Sequence, residues 1–180
     1  MDSDRIYNEF HIENRINLKR RIKMAVIILI TFLIQNTAGL FPRPWGVPAM
    51  LLVPVVVCVG MFEREIPGMI FGLFAGVLLD AYSAESLCFH SIALTLLGFF
   101  SGLLVTRLLR NSLKTSLMLC AFALIAYNSA YFAFCIWKSA GESAWFVYSN
   151  IYLASVIYTW LLVPVIYLLI RTASKTKKAE

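Results

Sequence analysis

Apolar residues run through this chain in long blocks that short polar clusters separate. The blocks fall at about 22–40, 47–62, 67–84, 86–105, 116–137 and 144–170. A helix needs roughly 20 mostly apolar residues to cross the hydrocarbon core of a bilayer. The pattern therefore predicts an all-α integral membrane protein, a compact bundle of about six transmembrane helices. The second block is short, and Pro48 and Pro54 interrupt it, which suits a broken or partly re-entrant helix covered by protein. Connections are short, so consecutive spans are expected to run antiparallel as neighbours. The expected organisation is a leader of residues 1–21, a single transmembrane domain of residues 22–170 and a basic tail of residues 171–180. Within the leader, Ile6, Phe10, Ile12 and Ile16 stand among charges, a pattern open to a surface helix or a disordered tail.

The third block raises a question of its own. In "GMIFGLFAGVLLD" (residues 68–80), Gly68, Gly72 and Gly76 lie one helical turn apart, and the next step of four falls on Asp80. In water each such glycine weakens a helix by about 1 kcal/mol relative to alanine. In lipid, apolar side chains gain nothing by leaving apolar surroundings, so helices associate through close packing, which small residues permit. The fourth block carries a matching stripe at Ser91, Thr95, Gly98 and Gly102, and the fifth has Ala123, Ala126, Ala130 and Ala133. These are expected helix-packing faces. They are filled from within the bundle, by another protein's transmembrane helix, or by both.

Polar groups inside the blocks need partners. Asp80 falls near the outer end of its span, where it can cap the turn or accept backbone N–H groups, meet His90 of the next span, or serve a proton relay. Gln35, Asn36, Asn128 and Asn150 are expected to bond across helices, or to line a pocket with Tyr127, Tyr131, Tyr152 and Tyr158. Glu63 and Glu65 flank Arg64, which suggests local charge compensation in a short turn. Cys58, Cys88, Cys120 and Cys135 form no CxxC and have no histidine at ligand spacing, so they read as buried, reduced packing residues. No nucleophile–base pair, phosphate-binding loop or intramembrane carboxylate pair stands out, and neither an enzyme nor a metal or other cofactor is expected.

Composition sharpens the class. Of the 180 residues 60% are hydrophobic, and the mean hydropathy is +0.77. The net charge of +6 would suggest nucleic acid if it formed a patch. With both termini cytoplasmic, however, all of the 16 basic residues except Arg43 and Lys138 fall on the cytoplasmic side. Such asymmetry orients a membrane protein toward anionic lipid headgroups and argues against a nucleic-acid partner. Trp45, Trp137, Trp145 and Tyr148 then cluster near the outer boundary, as interfacial aromatics do.

Residues 64–110, "REIPGMIFGLFAGVLLDAYSAESLCFHSIALTLLGFFSGLLVTRLLR", are similar to the core of the MreD family of bacterial rod-shape-determining membrane proteins. Gly72, Gly76 and Asp80 match its G-x-x-x-G-x-x-x-D third span. Residues 93–96 with Gly98 and Gly102 match the A-L-T-L-x-G-x-x-x-G span that follows. The turn after Asp80 departs from the Gly-Pro or Leu-Gly common in the family. The resemblance implies a non-enzymatic subunit of the cell-elongation machinery in the cytoplasmic membrane. Its implied partners are the single-span MreC and, through it, MreB, the glycan polymerase RodA and a class B penicillin-binding transpeptidase. The family's fold is also similar to the substrate-binding subunits of energy-coupling-factor vitamin transporters. That likeness supplies an alternative, a small-molecule binding component with a polar and aromatic pocket in spans four to six.

Overall fold

The structure is a computed structural model that describes residues 3–37, 49–83, 88–136 and 153–174. Side chains are described at residues 18–37, 49–83, 88–134 and 155–174. Six α-helices follow one another: α1 (Ser3–Asn36), α2 (Leu52–Glu63), α3 (Glu65–Ser83), α4 (Phe89–Arg107), α5 (Leu113–Tyr131) and α6 (Leu153–Ser174). A π-helical segment, Phe132–Ile136, continues α5. Four of these helices are long and apolar enough to cross a membrane: α3, α4, α5 with its extension to Phe134, and α6. The described part of the leader is helical and runs without a break into the first apolar block. The outer-boundary aromatics Trp45, Trp137, Trp145 and Tyr148, together with Asn150 and Tyr152, lie outside the described residues.

A full second span at 47–62 is not what the chain forms. Helix α2 has 12 residues, about 18 Å at 1.5 Å per residue, against a hydrocarbon core of about 30 Å. Pro54 is its third residue, inside the first turn, where a backbone N–H would have no intrahelical acceptor. Every residue from Leu52 to Met61 is buried. A helix that is apolar all round suits a protein interior or lipid, and its contacts with all five other helices put α2 in the interior.

Its ends are held by side chains from elsewhere. The Leu52 N–H donates to Gln35 Oε1 of α1 at 3.0 Å, and the Met50 N–H donates to Thr159 Oγ1 of α6 at 3.0 Å. At the other end Asn111 Nδ2 donates to the Met61 carbonyl at 3.2 Å, and Tyr167 donates to Asn111 Oδ1 at 3.4 Å. These contacts fix the relative directions of the helices. The end of α1 and the start of α6 meet the start of α2, so α1 and α6 are antiparallel. The opposite end gathers the middle of α1 at Arg20, the 108–112 connection and the end of α6. Every lysine and arginine among the described residues belongs to that end, in α1, at Arg64, around Asn111, or at Arg171.

Glu63 corrects the expectation of local compensation. Its neighbour Arg64 is exposed, whereas Glu63 is 3% exposed and pairs with Arg20 of α1. Arg20 Nη2 donates to Oε2 at 3.0 Å, and Nε lies 2.6 Å from Oε1. Arg64 itself forms the whole connection between α2 and α3, with φ 74° and ψ 179°, a region that side chains rarely adopt. Two backbone bonds hold it there, Arg64 N–H to the Gly60 carbonyl at 3.1 Å and Gly68 N–H to the Arg64 carbonyl at 2.9 Å.

Removing one partner of a buried pair strands the other charge, while removing both leaves an apolar contact. Arg20→Met should therefore lower stability by about 2 kcal/mol, the arginine being partly exposed. Arg20→Met/Glu63→Leu should recover most of that loss. Thermal unfolding of the purified protein in one detergent measures the cycle, and simple additivity of the two single changes would rule the coupling out.

Candidate functional site

Among the described residues, helices α3 and α4 form the most closely packed pair. Gly68, Gly72 and Gly76 are buried and lie against the backbone of α4. A Cβ at Gly68 would sit 2.6 Å from the Gly98 carbonyl oxygen, and one at Gly76 would sit 2.6 Å from the His90 carbonyl oxygen. At Gly72 the obstacle is the Leu94 carbonyl, its carbon 2.9 Å away. These obstacles are backbone atoms, which cannot turn aside as a side chain can. Across the interface Ser91, Gly98 and Gly102 are buried, and Thr95 is half-buried with its hydroxyl donating to the Ser91 carbonyl.

Gly60 of α2 joins the same node, a residue that spacing within α3 and α4 could not reveal. A Cβ there would meet the Gly98 carbonyl oxygen at 2.6 Å as well as the Ser101 hydroxyl. Gly102 in turn faces the α2–α3 connection, where a Cβ would lie 2.6 Å from the Arg64 carbonyl carbon. Three helices thus meet through glycines at the basic end.

Asp80 closes the other end of the hairpin. Its Oδ1 accepts the His90 N–H at 3.1 Å, and its Oδ2 accepts the Ser91 N–H at 2.8 Å as well as the Ser91 hydroxyl. Cys88, at the N-cap position of α4, makes no capping bond. The carboxylate of the neighbouring helix therefore satisfies the first turn of α4, where the helix dipole also favours negative charge. The position of Asp80, one turn beyond Gly76 on the same stripe, delivers it there.

The His90 ring is engaged elsewhere. Its Nδ1 lies 2.6 Å from the Tyr127 hydroxyl, and the ring stacks on Tyr131 with centroids 5.5 Å apart. Phe89 packs against Tyr127, Tyr131 and Phe134, so an aromatic cluster joins the start of α4 to the end of α5. Asn128 is 1% exposed, and its Nδ2 donates to the Leu124 carbonyl at 2.9 Å. Its Oδ1 has no partner among the described residues.

Two further expectations need correction. The alanines of α5 do not form one packed face: Ala123 is buried, Ala126 and Ala130 are half-buried and Ala133 is exposed. The residues α5 buries are instead Ser116, Cys120, Ala123, Leu124, Tyr127 and Asn128. Among the cysteines, Cys58 and Cys120 are buried, with Cys58 Sγ 3.2 Å from Ser116 Oγ, but Cys88 is exposed. Among the described residues, no three His, Cys, Asp or Glu side chains converge as metal ligands would.

The arrangement defines a multi-pass helical membrane protein, built around a short central helix and a glycine-lined, acid-capped hairpin. The family profile described as rod shape-determining protein MreD matches residues 18–173, most of the chain. The chain belongs to that family of rod-shape-determining membrane proteins. No curated protein and no solved structure matches it.

Gly72→Leu and Gly76→Leu should each prevent the backbone contact and abolish the monodisperse folded peak in size-exclusion chromatography. Val77→Leu, on the exposed side of the same helix, should leave it intact. Asp80→Ala should lower stability by about 1–3 kcal/mol through the two stranded N–H groups. Folded yields of both glycine variants equal to that of the parent would exclude the packing account.

Proposed function

We propose that this protein is a non-enzymatic scaffold of the bacterial cell-elongation complex, which directs peptidoglycan synthesis in rod-shaped cells. It resides in the cytoplasmic membrane with both termini cytoplasmic. Residues 1–21 form the leader, 22–170 the transmembrane domain and 171–180 the tail. The gathering of the described lysines and arginines at one end of the bundle supports this orientation. Family membership supports a place beside MreC and, through it, MreB, RodA and a class B penicillin-binding transpeptidase.

The observation that carries the scaffold reading is the two-sided character of the hairpin. Its inner side is locked by backbone contact, as described. Its outer side presents Ile66, Ile70, Leu73 and Val77 of α3 and Ile92, Leu96 and Phe100 of α4, all exposed and at helical spacing. A preformed apolar surface loses little freedom when another helix packs on it, which favours recruitment of a single-span partner such as MreC. Gly68, Gly72, Gly76, Ser91, Thr95, Gly98 and Gly102 would then act indirectly, by holding that surface rigid.

The transporter-like reading draws on one observation, the buried Asn128 Oδ1 beside the Tyr127–His90 pair. Native mass spectrometry of the tagged protein, extracted gently from its own membranes, separates the two. The scaffold reading expects a co-eluting single-span partner and no vitamin-sized adduct. It also expects Leu73→Trp/Leu96→Trp to reduce that partner at least tenfold, while Leu161→Trp on α6 leaves it in place. A stoichiometric vitamin-sized adduct without a partner would overturn it.

A further inference from the structure

Helix α1 carries a stripe that the hairpin does not use. Lys19, Lys23, Ile27, Thr31 and Ile34 recur at steps of four, four, four and three, so they form one row that winds along the helix, with Lys23 next to the apolar members and Lys19 one turn further on. Ile27, Thr31 and Ile34 form one wall of a groove of about 170 Å³, with Val165 and Leu169 of α6 opposite and Val55 of α2 between. Thr31 turns its hydroxyl onto the Ile27 carbonyl at 2.8 Å, so its hydrogen is already used. The groove is therefore apolar along its length. Because α1 and α6 are antiparallel, its Ile27–Leu169 end points toward the basic end of the bundle. Lys23 and Lys19 stand one and just over two turns before Ile27 and are exposed. Arg20 is committed to Glu63, whereas neither lysine has a carboxylate partner among the described residues.

We infer that this groove is a binding site for one anionic phospholipid. An acyl chain lies between α1 and α6, and the phosphate-bearing headgroup sits against Lys19 and Lys23. An apolar groove open to a bilayer is filled by hydrocarbon, and two unpaired ammonium groups at its interfacial end select the charge of the headgroup. Each lysine near a membrane surface contributes about a fivefold preference for anionic lipid. A zwitterionic lipid fills the same groove without that gain.

Native mass spectrometry of the full-length protein, delipidated in detergent and given equimolar phosphatidylglycerol and phosphatidylcholine, tests the assignment. The parent should retain one phosphatidylglycerol in preference to phosphatidylcholine. Lys19→Gln/Lys23→Gln should lower that ratio at least fivefold, with phosphatidylcholine retention unchanged. Val165→Trp, at an exposed position where the fold tolerates bulk, should lower retention of both lipids. Equal retention of the two lipids by the parent would overturn the proposal, as would a preference that survives loss of both lysines. Retention untouched by Val165→Trp would do the same, because it would mean headgroup contact without the groove.

Discussion

A helix end inside a membrane has no water to turn to. The backbone groups that a helix leaves unpaired at its termini must find protein partners, at a cost of about 1–3 kcal/mol for each one buried without a bond. This constraint governs the chain most strongly at α2, whose whole apolar length is buried. Two helices and one connection send polar side chains to its ends: Gln35 of α1, Thr159 of α6, Asn111 and, through the carboxylate of Glu63, Arg20 of α1. Because those donors and acceptors come from α1, α6 and the 108–112 connection, satisfying α2 also aligns the elements around it. The same requirement at the start of α4 is met by Asp80. A carboxylate in an apolar run is thus explained by a neighbour's unfinished first turn.

The glycines follow from a second property of the same solvent. Hydrocarbon does not press apolar side chains together, so attraction between helices depends on how many atoms touch. Along α3, glycine at every fourth position lets two backbones approach where any Cβ would meet a carbonyl. At the basic end Gly60 and Gly102 bring α2 and the strained Arg64 connection into the same contact. Backbone strain of roughly 1–3 kcal/mol persists only where its surroundings over-determine it, and here two backbone bonds and a glycine floor do so.

Much of this was legible in the sequence. Six helical elements, the stripe of fours in α3 and the answering small residues of α4 all follow from period and from the physics of lipid. The acid's position on the stripe was visible too, although its acceptor role was only one of several readings. What spacing could not deliver was the choice of partner across the chain. Glu63 lies beside Arg64 in sequence, but the chain reverses between them, so one side chain is buried while the other is exposed. Its real partner is 43 residues away. Gln35 was likewise visible only as a polar residue near a block end, and nothing in its spacing singled out Asn111. The central place of α2 was not legible either: residues 52–62 carry no polar side chain except the Cys58 thiol, a composition that suits lipid and protein interior alike.

Position within α2 gives these contacts a common consequence. Gly60 is pinned to α4, Met61 to Asn111 and Glu63 to Arg20, all within a single helical turn. A displacement of α1 at Arg20 therefore cannot be absorbed by bending α2, which is only 12 residues long and buried on every side. The Arg20–Glu63 pair and the Gly60–Gly98 contact are thus held in a fixed relation by one turn of α2. Helix α2 is in contact with α1 and α6, which form the groove, and with α3 and α4, which form the hairpin. A short, buried helix thus sets the relative positions of the elements behind both surfaces.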